Sequence, residues 1–197
     1  MPFLYLKQNS PAFVFMMLAT VVLVIVMMVV YLSILRKYEE KSLMKVKDMV
    51  KFMWFKDLLP EQLTVKQVYG IAFSDDKRVV LRIEDGKYKL TGGKPENAET
   101  FEETLKREYI EELNIELEDI YYLGYLLVEE DSDKYAQVRM IAKIKDIHDS
   151  HIDPATEKIY GRELVAADRI KDYLNYADLA GNEMIDDALQ LAMNNYF

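Results

Sequence analysis

Residues 88–115 read YKLTGGKPENAETFEETLKREYIEELNI and contain the strongest structural signals in the chain. Gly92 and Gly93 follow a short alternation of polar and apolar residues and give the backbone the freedom that a tight turn needs. In residues 100–113 the apolar side chains recur at spacings of three and four, which is typical of an amphipathic helix. The stretch therefore predicts a glycine turn followed by a helix.

Both ends of this helix carry end signals. Thr100, followed three residues later by Glu103, forms a capping-box pattern. Asn114 stands where the helix must end, and Asn adopts the left-handed conformation of a helix stop more readily than most residues. We therefore expect the helix to begin near Thr100 and to end before Asn114.

The polar side of the helix carries a cluster of carboxylates. Glu108, Glu111 and Glu112 are three or four residues apart, so their side chains project from the same side. Like charges at this spacing repel one another, and a bound divalent cation would remove that repulsion. Carboxylate oxygens suit a hard ion such as Mg²⁺ or Mn²⁺. The alternative is a solvated acidic surface, which is the usual role of a run of charges.

The spacing of the polar residues resembles the Nudix box, Gly-x5-Glu-x7-Arg-Glu-U-x-Glu-Glu-x-Gly-U, where U is a bulky apolar residue. Six positions fall in register, namely Gly93, Glu99, Arg107, Glu108, Glu111 and Glu112, and Ile115 follows as the final apolar residue. Two positions differ from the pattern, because Asn114 replaces the last glycine and Tyr109 replaces an aliphatic residue. The chain is therefore similar to the Nudix hydrolase family.

This resemblance implies both a fold and a reaction. The fold is an α/β/α sandwich around a mixed sheet, and the reaction is hydrolysis of a diphosphate bond in a nucleoside diphosphate linked to another group. The resemblance also implies Mg²⁺ or Mn²⁺ as cofactor, with four glutamates as ligands: Glu99, Glu108, Glu111 and Glu112. A small nucleotide-type diphosphate is then the substrate.

The remaining motif residues receive roles by the same resemblance. Glu111 or Glu112 is expected to activate water, and Arg107 to pair with a motif carboxylate and fix its rotamer. Gly92 and Gly93 would let the preceding loop approach the metal site closely. The general base can lie outside the motif in this family, and the acidic residues near the middle of the chain are candidates, although a solvated loop is the simpler interpretation: Glu129, Glu130, Asp131 and Asp133.

Substrate-binding residues are less well marked. Arg82 and Arg139 could contact phosphate, but both lie in strand patterns where exposure to solvent is the default expectation. Several tyrosines could stack on a base, although packing on the sheet is the commoner role: Tyr121, Tyr122, Tyr125, Tyr135 and Tyr160. The sequence does not identify the group linked to the nucleoside diphosphate.

Residues 12–35 contain no charged side chain. An α-helix of this length spans about 36 Å, enough to cross the hydrocarbon layer of a membrane, which is about 30 Å thick. A cleaved signal peptide is one alternative, but its apolar region is shorter and follows positive charge. A buried core helix is another alternative. The segment therefore predicts a single transmembrane helix preceded by a short segment, residues 1–11.

Positive charge lies almost entirely on one side of this segment. Only Lys7 precedes it, whereas six basic residues follow it: Arg36, Lys37, Lys41, Lys45, Lys47 and Lys51. The positive-inside rule then places the C-terminal domain in the cytoplasm. Residues 36–60 are predicted to form a basic amphipathic juxtamembrane helix, with its clearest stripe in residues 41–59. This helix could bind lipid headgroups, pack on the domain, or self-associate as a homodimer, and the alternative is a plain helical connector that continues from the anchor.

The charge balance excludes one class of partner. The chain has 197 residues and a net charge of −9, while residues 61–197 contain 17 Lys and Arg against 30 Asp and Glu. A domain this acidic is not expected to bind a nucleic acid polymer, which requires clustered basic residues. The absence of cysteine excludes disulfides and thiolate sites.

Residues 61–197 are predicted to contain the Nudix domain. Strands are expected at residues 66–73, 78–83, 87–90, 120–129, 135–144 and 159–166, with the acidic loop 130–133 inside the second hairpin. Helices are expected at residues 168–174 and 183–194, the latter capped by Asn182. Besides hydrolysis, two other functions are considered, namely a non-hydrolytic nucleotide-sensing module at the membrane and a structural protein.

Overall fold

The computed structural model describes residues 11–47, 50–131, 133–174 and 179–196. The chain divides into two compact units, Met1–Met49 and Val50–Phe197.

The first unit contains one long helix, α1 (Pro11–Lys47). Its segment Pro11–Tyr38 is long and apolar enough to cross a membrane, judged by length and composition. The two aliphatic hydroxyls in this segment are satisfied within the helix, because Thr20 donates to the Met17 carbonyl at 2.8 Å and Ser33 to the Val30 carbonyl at 2.7 Å. Such internal bonding is what a polar group in hydrocarbon requires.

In the described part of the second unit, eight strands form one mixed sheet. Their bounds are β1 (Lys51–Phe55), β2 (Val65–Phe73), β3 (Arg78–Glu84), β4 (Lys87–Lys89), β5 (Thr91–Gly93), β6 (Ile115–Glu130), β7 (Asp133–Ile147) and β8 (Gly161–Ala166). The main order is β1-β6-β7-β2-β3-β4, with β5 paired to β2 and β8 paired to β3. The β2–β7 pair is parallel, whereas the other pairs are antiparallel.

Helices cover both faces of the sheet. On one face lies α2 (Phe101–Leu113), which buries Leu105, Tyr109 and Leu113 in a core with β2, β6 and β7. On the other face, α3 (Ile170–Tyr173) and α4 (Leu179–Asn195) form a second core with residues of β2, β3 and β7. The predicted α/β/α sandwich around a mixed sheet is confirmed.

Tyr109, the residue larger than the motif pattern, fits beneath α2 without disturbing it. Its side chain is fully buried, and its hydroxyl donates a hydrogen bond to the Gly70 carbonyl at 2.9 Å. An added Cβ at Gly70 would lie 2.7 Å from the Leu105 side chain, so the glycine in β2 allows the close approach of α2. A buried Tyr hydroxyl with a partner adds stability, whereas an unpaired one would cost it.

The prediction of a helix over residues 41–59 is wrong from Lys51 onward. Residues 41–47 belong to α1, but Lys51–Phe55 is strand β1, paired with Tyr125–Glu129 of β6. A bulge at Gly124 makes this pairing possible, because an added Cβ there would lie 2.3 Å from the Phe55 carbonyl oxygen. The second unit consequently begins at Val50, before the domain start predicted at residue 61.

Three further differences concern the ends of elements. The predicted strand 87–90 is β4, which ends at Lys89, and the glycine turn predicted at Gly92 and Gly93 is instead strand β5, paired with β2. The predicted acidic loop is a tight turn, since β6 ends at Glu130 and β7 begins at Asp133. The predicted cap, Asn182, lies inside α4, which already includes Leu179. The preceding Gly181 is a buried residue of the same helix.

Candidate active site

The capping residues of α2 fix both ends of the motif helix. Thr100 Oγ1 accepts a hydrogen bond from the Glu103 amide at 3.2 Å, and a Glu103 carboxylate oxygen accepts one from the Thr100 amide at 2.8 Å. Asn114 adopts the left-handed conformation, with φ 51° and ψ 51°. Both predicted end signals are confirmed, so local sequence determines where the carboxylate-bearing helix starts and stops.

The C-terminal end of α2 is also attached to the loop that follows β7. The Asn114 amide group donates to the Asp149 carbonyl at 2.7 Å. The Arg162 guanidinium in β8 donates to the carbonyls of Leu113 and His148. Asn114 thus stops the helix, as the motif's usual glycine would, and its side chain adds a hydrogen bond to this loop that glycine could not make.

The two glycines of β5 approach neighbouring groups closely. An added Cβ at Gly93 would lie 2.1 Å from Oε1 of Glu108. Gly92 has a φ of 153°, and an added Cβ there would lie 2.1 Å from the Val68 carbonyl oxygen. Any side chain at either position would therefore displace β5 or the Glu108 carboxylate.

The Arg107 guanidinium lies at the centre of three motif glutamates. It contacts both oxygens of Glu99, at 2.8 and 3.1 Å, and one oxygen each of Glu108 at 2.9 Å and Glu111 at 3.0 Å. A fifth contact, to a fourth partner, is with the Lys94 carbonyl at 3.1 Å. Arg107 thus brings together carboxylates that would otherwise repel one another, and it fixes their orientation.

This arrangement shifts the pKa values of the carboxylates in opposite directions. The hydrogen bond from Arg107, with a backbone hydrogen bond at Glu96, lowers the pKa of Glu99 to about 2. Burial raises the pKa of Glu108, and the contact with Arg107 opposes that shift. The negative charges of Glu111 and Asp153 raise the Glu108 pKa further. Burial thus disfavours the charged form of Glu108, and a cation beside this carboxylate would favour it.

Glu112 is held by a different arginine. Its side chain is 8% exposed, and one of its oxygens pairs with Nη1 of Arg82 in β3. The other oxygen, Oε2, is buried and has no hydrogen-bond partner among the described residues. The Arg82 guanidinium also lies over the Tyr160 ring, with its carbon 4.7 Å from the ring centroid. Sequence reasoning did not pair Arg82 with the motif.

The donor set fits a hard divalent cation. All the candidate ligands are carboxylate oxygens. Among them, Glu112 Oε2 is a buried acceptor that receives no hydrogen bond from the described residues. Within those ranges, no three acidic or His side chains already converge as a metal site. The four glutamates are grouped instead on two guanidiniums: Glu99, Glu108 and Glu111 on Arg107, and Glu112 on Arg82.

The candidate bases outside the motif lie at the β6–β7 turn. In the described structure Glu129 pairs with Lys134, Glu130 accepts a hydrogen bond from Tyr135, and Asp133 lies 3.8 Å from Lys66. Asp131, at the tip of the turn, has a positive φ of 54°. All these contacts are made within the hairpin or with β2. They agree with the simpler interpretation, in which these acidic residues are part of a solvated surface turn.

Sequence reasoning missed one buried carboxylate near the motif. Asp153 is 3% exposed and lies in the loop between β7 and β8. Its two oxygens accept hydrogen bonds from the Ala155 amide and the Thr156 hydroxyl, both at 2.8 Å. The sequence Asp-Pro-Ala-Thr at residues 153–156 is a turn signal that could have located it. Its contacts indicate that Asp153 shapes the loop.

A cavity of about 770 Å³ lies beside Arg82. Its walls include basic and aromatic residues, among them Arg82, Lys87, Lys89, Arg139, Tyr69 and Tyr88. Arg139 is only 4% exposed, stacks 4.7 Å from the Tyr69 ring centroid, and donates to Gln137 at 3.0 Å. The expectation that Arg82 and Arg139 are exposed is therefore wrong, because the Arg82 side chain is only 12% exposed and Arg139 is buried.

The tyrosines named as candidates for base stacking contact other groups. Tyr125 is buried and stacks on Phe55 at 5.2 Å between ring centroids, and Tyr160 supports Arg82. Tyr122 donates to the Asp57 carbonyl at 3.1 Å, and Tyr121 lies 6.0 Å from the Tyr196 ring. The tyrosines in the pocket wall are Tyr69, Tyr88 and Tyr173.

Comparisons with known proteins agree with this fold. The family model of the NUDIX domain matches residues 64–180. Among solved structures, the pyrophosphohydrolase BsRppH of Bacillus subtilis is similar, with a TM-score of 0.58 and 21% sequence identity. That match covers 71% of this chain and 90% of BsRppH.

A second similar structure is a MutT protein, from work on Aliivibrio salmonicida and Vibrio cholerae, with 19% identity and a TM-score of 0.48. The match covers 64% of this chain and 98% of that one. No curated protein matches the chain. Because the NUDIX match includes more than half of the chain and the whole motif, the chain belongs to the Nudix hydrolase family.

Proposed function

We propose that this protein hydrolyses a diphosphate bond in a nucleoside diphosphate linked to another group, with Mg²⁺ or Mn²⁺ as its cofactor. One observation carries the proposal: Glu99, Glu108 and Glu111 meet at the Arg107 guanidinium, and Glu112 of the same helix is buried with an unused oxygen. Nudix hydrolases generally use divalent metals, and membership of the family supports the same reaction class.

The motif glutamates would hold the cation. Glu108, Glu111 and Glu112 project from one side of α2, and Glu99 joins them from the preceding turn. A divalent ion bound there supplies positive charge that stabilises the phosphate oxygens and makes a bound water more acidic. Arg107 orients three of the four carboxylates, so the ligand set is arranged before substrate arrives.

We assign the activation of water to Glu111. Its side chain is 27% exposed, whereas that of Glu112 is 8% exposed, and a proton acceptor must be reachable by water. The water oxygen forms a bond to phosphorus while the bridging P–O bond breaks. The electron pair of that bond remains with the departing phosphate, and the proton from water passes to the Glu111 carboxylate.

The pocket beside Arg82 would hold the nucleotide. Lys87 and Lys89 provide positive charge for phosphate oxygens, and Tyr69 and Tyr88 provide aromatic surface for a base. A volume of about 770 Å³ suits a small ligand. The substrate we propose is therefore a small nucleotide and not a nucleic acid polymer, in agreement with the acidic composition of the second unit.

We also propose that α1 anchors the protein in a membrane with the second unit in the cytoplasm. The apolar segment and the basic residues that follow it support this arrangement. Lipid is then a partner through α1. The homodimer considered from the sequence for residues 41–59 stays a prediction.

The test of the proposed function uses the full chain in detergent with Mg²⁺. The substrates are nucleoside triphosphates, nucleotide sugars, ADP-ribose and dinucleoside polyphosphates. We expect phosphate-bond cleavage by wild type, and Glu111→Gln to reduce turnover by at least about 10², because the substitution keeps the shape but removes the proton acceptor.

The matched control is Glu102→Gln on the exposed side of the same helix, where Glu102 pairs only with Lys106 in the described contacts, at 2.7 Å. This variant should keep wild-type turnover. Nucleotide binding without turnover by wild type would contradict hydrolysis and favour the sensing module. Neither binding nor turnover would favour a structural protein.

A further inference from the structure

Arg82 connects the pocket with the motif helix. It belongs to β3, lines the cavity, and pairs with Glu112 of α2. The two side chains are 12% and 8% exposed, so the pair is largely removed from water. In such a pair, loss of one partner leaves a buried charge uncompensated. Whatever binds Glu112 therefore changes the electrostatic environment of Arg82 as well.

The pair has hydrogen-bonding capacity that the described residues do not use. Nε of Arg82 and Oε2 of Glu112 are both buried, and neither has a hydrogen-bond partner within the described ranges. Buried polar atoms are usually bonded, and exceptions often mark a place where an ion or ligand binds. One unused atom is a donor and the other is an acceptor. This combination points to an anion for Arg82 and a cation for Glu112.

Other contacts would let the Arg82 guanidinium change partner. Its second carboxylate contact, to Glu84, is long at 3.4 Å. Glu84 is already neutralised by Lys89 at 2.5 Å and Lys158 at 3.3 Å, and the Lys89 hydrogen bond is the main cause of its lowered pKa. The Tyr160 ring supports the flat face of the guanidinium and does not restrict the direction of its N–H groups.

We propose that Arg82 is a substrate-binding residue that changes partner: it pairs with Glu112 in the metal-free protein and with a phosphate oxygen of the nucleotide once Glu112 binds the cation. This inference rests on the proposed function, because it assumes a metal at the motif and a diphosphate in the pocket. The guanidinium fork matches the geometry of phosphate oxygens, and Arg82 already lines the cavity.

The proposal has a thermodynamic consequence. Arg82 competes with the cation for Glu112, and Glu112 competes with the phosphate for Arg82. Each ligand removes the competitor of the other, so cation and phosphate should bind with positive coupling. Removing Arg82 should then have opposite effects on the two ligands. It should strengthen cation binding and weaken phosphate binding, whereas simple structural damage would weaken both.

The experiment measures binding and not turnover. The full chain in detergent is titrated with Mn²⁺, followed by the electron paramagnetic resonance signal of the free ion, and separately with methylenediphosphonate, a diphosphate analogue that cannot be hydrolysed, by calorimetry. For Arg82→Met we expect Mn²⁺ affinity to rise about fivefold or more and methylenediphosphonate affinity in saturating Mn²⁺ to fall about tenfold. Lower affinity for both ligands, or no change in either, would overturn the inference.

Glu112→Gln provides the second variant, because it keeps the shape of the side chain and releases Arg82 from its charged partner. We expect it to bind methylenediphosphonate more tightly than wild type in the absence of metal, by about fivefold. An unchanged or weaker affinity would contradict the exchange of partners, and this result decides the matter if Arg82→Met does not fold.

Lys87→Met is the matched control for pocket charge. Lys87 lines the same cavity, and its substitution should weaken methylenediphosphonate binding without raising Mn²⁺ affinity. Failure of wild type to bind either Mn²⁺ or methylenediphosphonate would contradict the proposed function itself. Binding of both by wild type, with parallel losses in Arg82→Met, would contradict only the role of Arg82.

Discussion

An alanine at position 93 would place its Cβ 2.1 Å from Oε1 of Glu108. The clash is with the end of a flexible side chain, so we expect Gly93→Ala to fold while the Glu108 carboxylate moves. A displacement of about 1 Å in a catalytic group can cost about 10² in rate. Turnover should therefore fall by about 10² while the melting temperature changes little.

Gly161→Ala is the control for this prediction. Its added Cβ would meet Ile83 at 3.2 Å, a tight contact that does not involve the motif. This variant should keep its turnover even if it loses some stability. Wild-type turnover in Gly93→Ala would show that the position of Glu108 next to β5 is not needed for the reaction.

The contact between Glu99 and Arg107 predicts a pH dependence of stability. The pKa of Glu99 is lowered from its ordinary value of 4.5 to about 2, so its charged form stabilises the folded state. This stabilisation is fully present above about pH 4.5 and is lost as pH falls towards 2. Glu99→Gln should melt below wild type at pH 7, and the difference should shrink between pH 4.5 and pH 3.

Melting curves at several pH values test this prediction. Glu96→Gln is the control, because the Glu99 carboxylate binds the backbone amide of Glu96 and not its side chain. A difference between wild type and Glu99→Gln that is constant from pH 7 to pH 3 would mean that the Arg107 contact does not stabilise the charged form of Glu99.

At the scale of residues, contacts between neighbours in sequence could be predicted, and contacts between residues distant in sequence could not. The capping box of α2 and the stop at Asn114 depend on backbone groups within four residues, so the sequence pattern contains all the necessary information. The pairing of Arg82 with Glu112 depends on where β3 lies relative to α2. An arginine in a strand pattern gives no local sign of that partner.

At the scale of elements, β1 shows how sheet pairing overrides a local pattern. Two of its five residues, Met53 and Trp54, continue the apolar stripe of the amphipathic helix that was predicted from sequence. The free edge of β6 offers backbone hydrogen bonds, and Gly124 allows β1 to approach that edge closely. Trp54 then donates to Asp187 of α4 at 2.8 Å. These partners are 70 or more residues away, beyond the reach of periodicity.

This packing predicts where the second unit can be separated from α1. A fragment of residues 50–197 retains β1, whereas a fragment of residues 61–197 loses it and exposes the edge of β6 at Tyr125–Glu129. Exposed edges promote aggregation, and the lost strand also removes the Trp54 contact with α4. We expect the shorter fragment to melt at least about 5 °C lower.

Thermal melting and light scattering of the two fragments test this expectation. Trp54→Phe in the longer fragment is the control for the single hydrogen bond to Asp187, whose loss should cost only about 1 kcal/mol. Equal melting temperatures and equal solubility of the two fragments would mean that β1 is dispensable for the second unit.

For the whole molecule, the distribution of charge follows the division into units. Residues 61–197 have a net charge of −13, whereas the residues that follow the apolar segment of α1 are rich in lysine. The arrangement of the sandwich was implied by the motif resemblance and not by periodicity, which indicates only a mixture of helices and strands. Membrane orientation depends on charge asymmetry along the chain, so it can be predicted from sequence and tested directly.

The absence of cysteine makes that test specific, because a single introduced cysteine is the only thiol in the chain. Ser10→Cys precedes α1, and Glu61→Cys lies in an exposed turn of the second unit. If the basic residues after the apolar segment keep the second unit in the cytoplasm, a maleimide that cannot cross membranes should label Ser10→Cys in intact cells. Glu61→Cys should be labelled only after the cells are permeabilised. Labelling of Glu61→Cys in intact cells would reverse the orientation, and recovery of the full chain in the soluble fraction would contradict anchorage by α1.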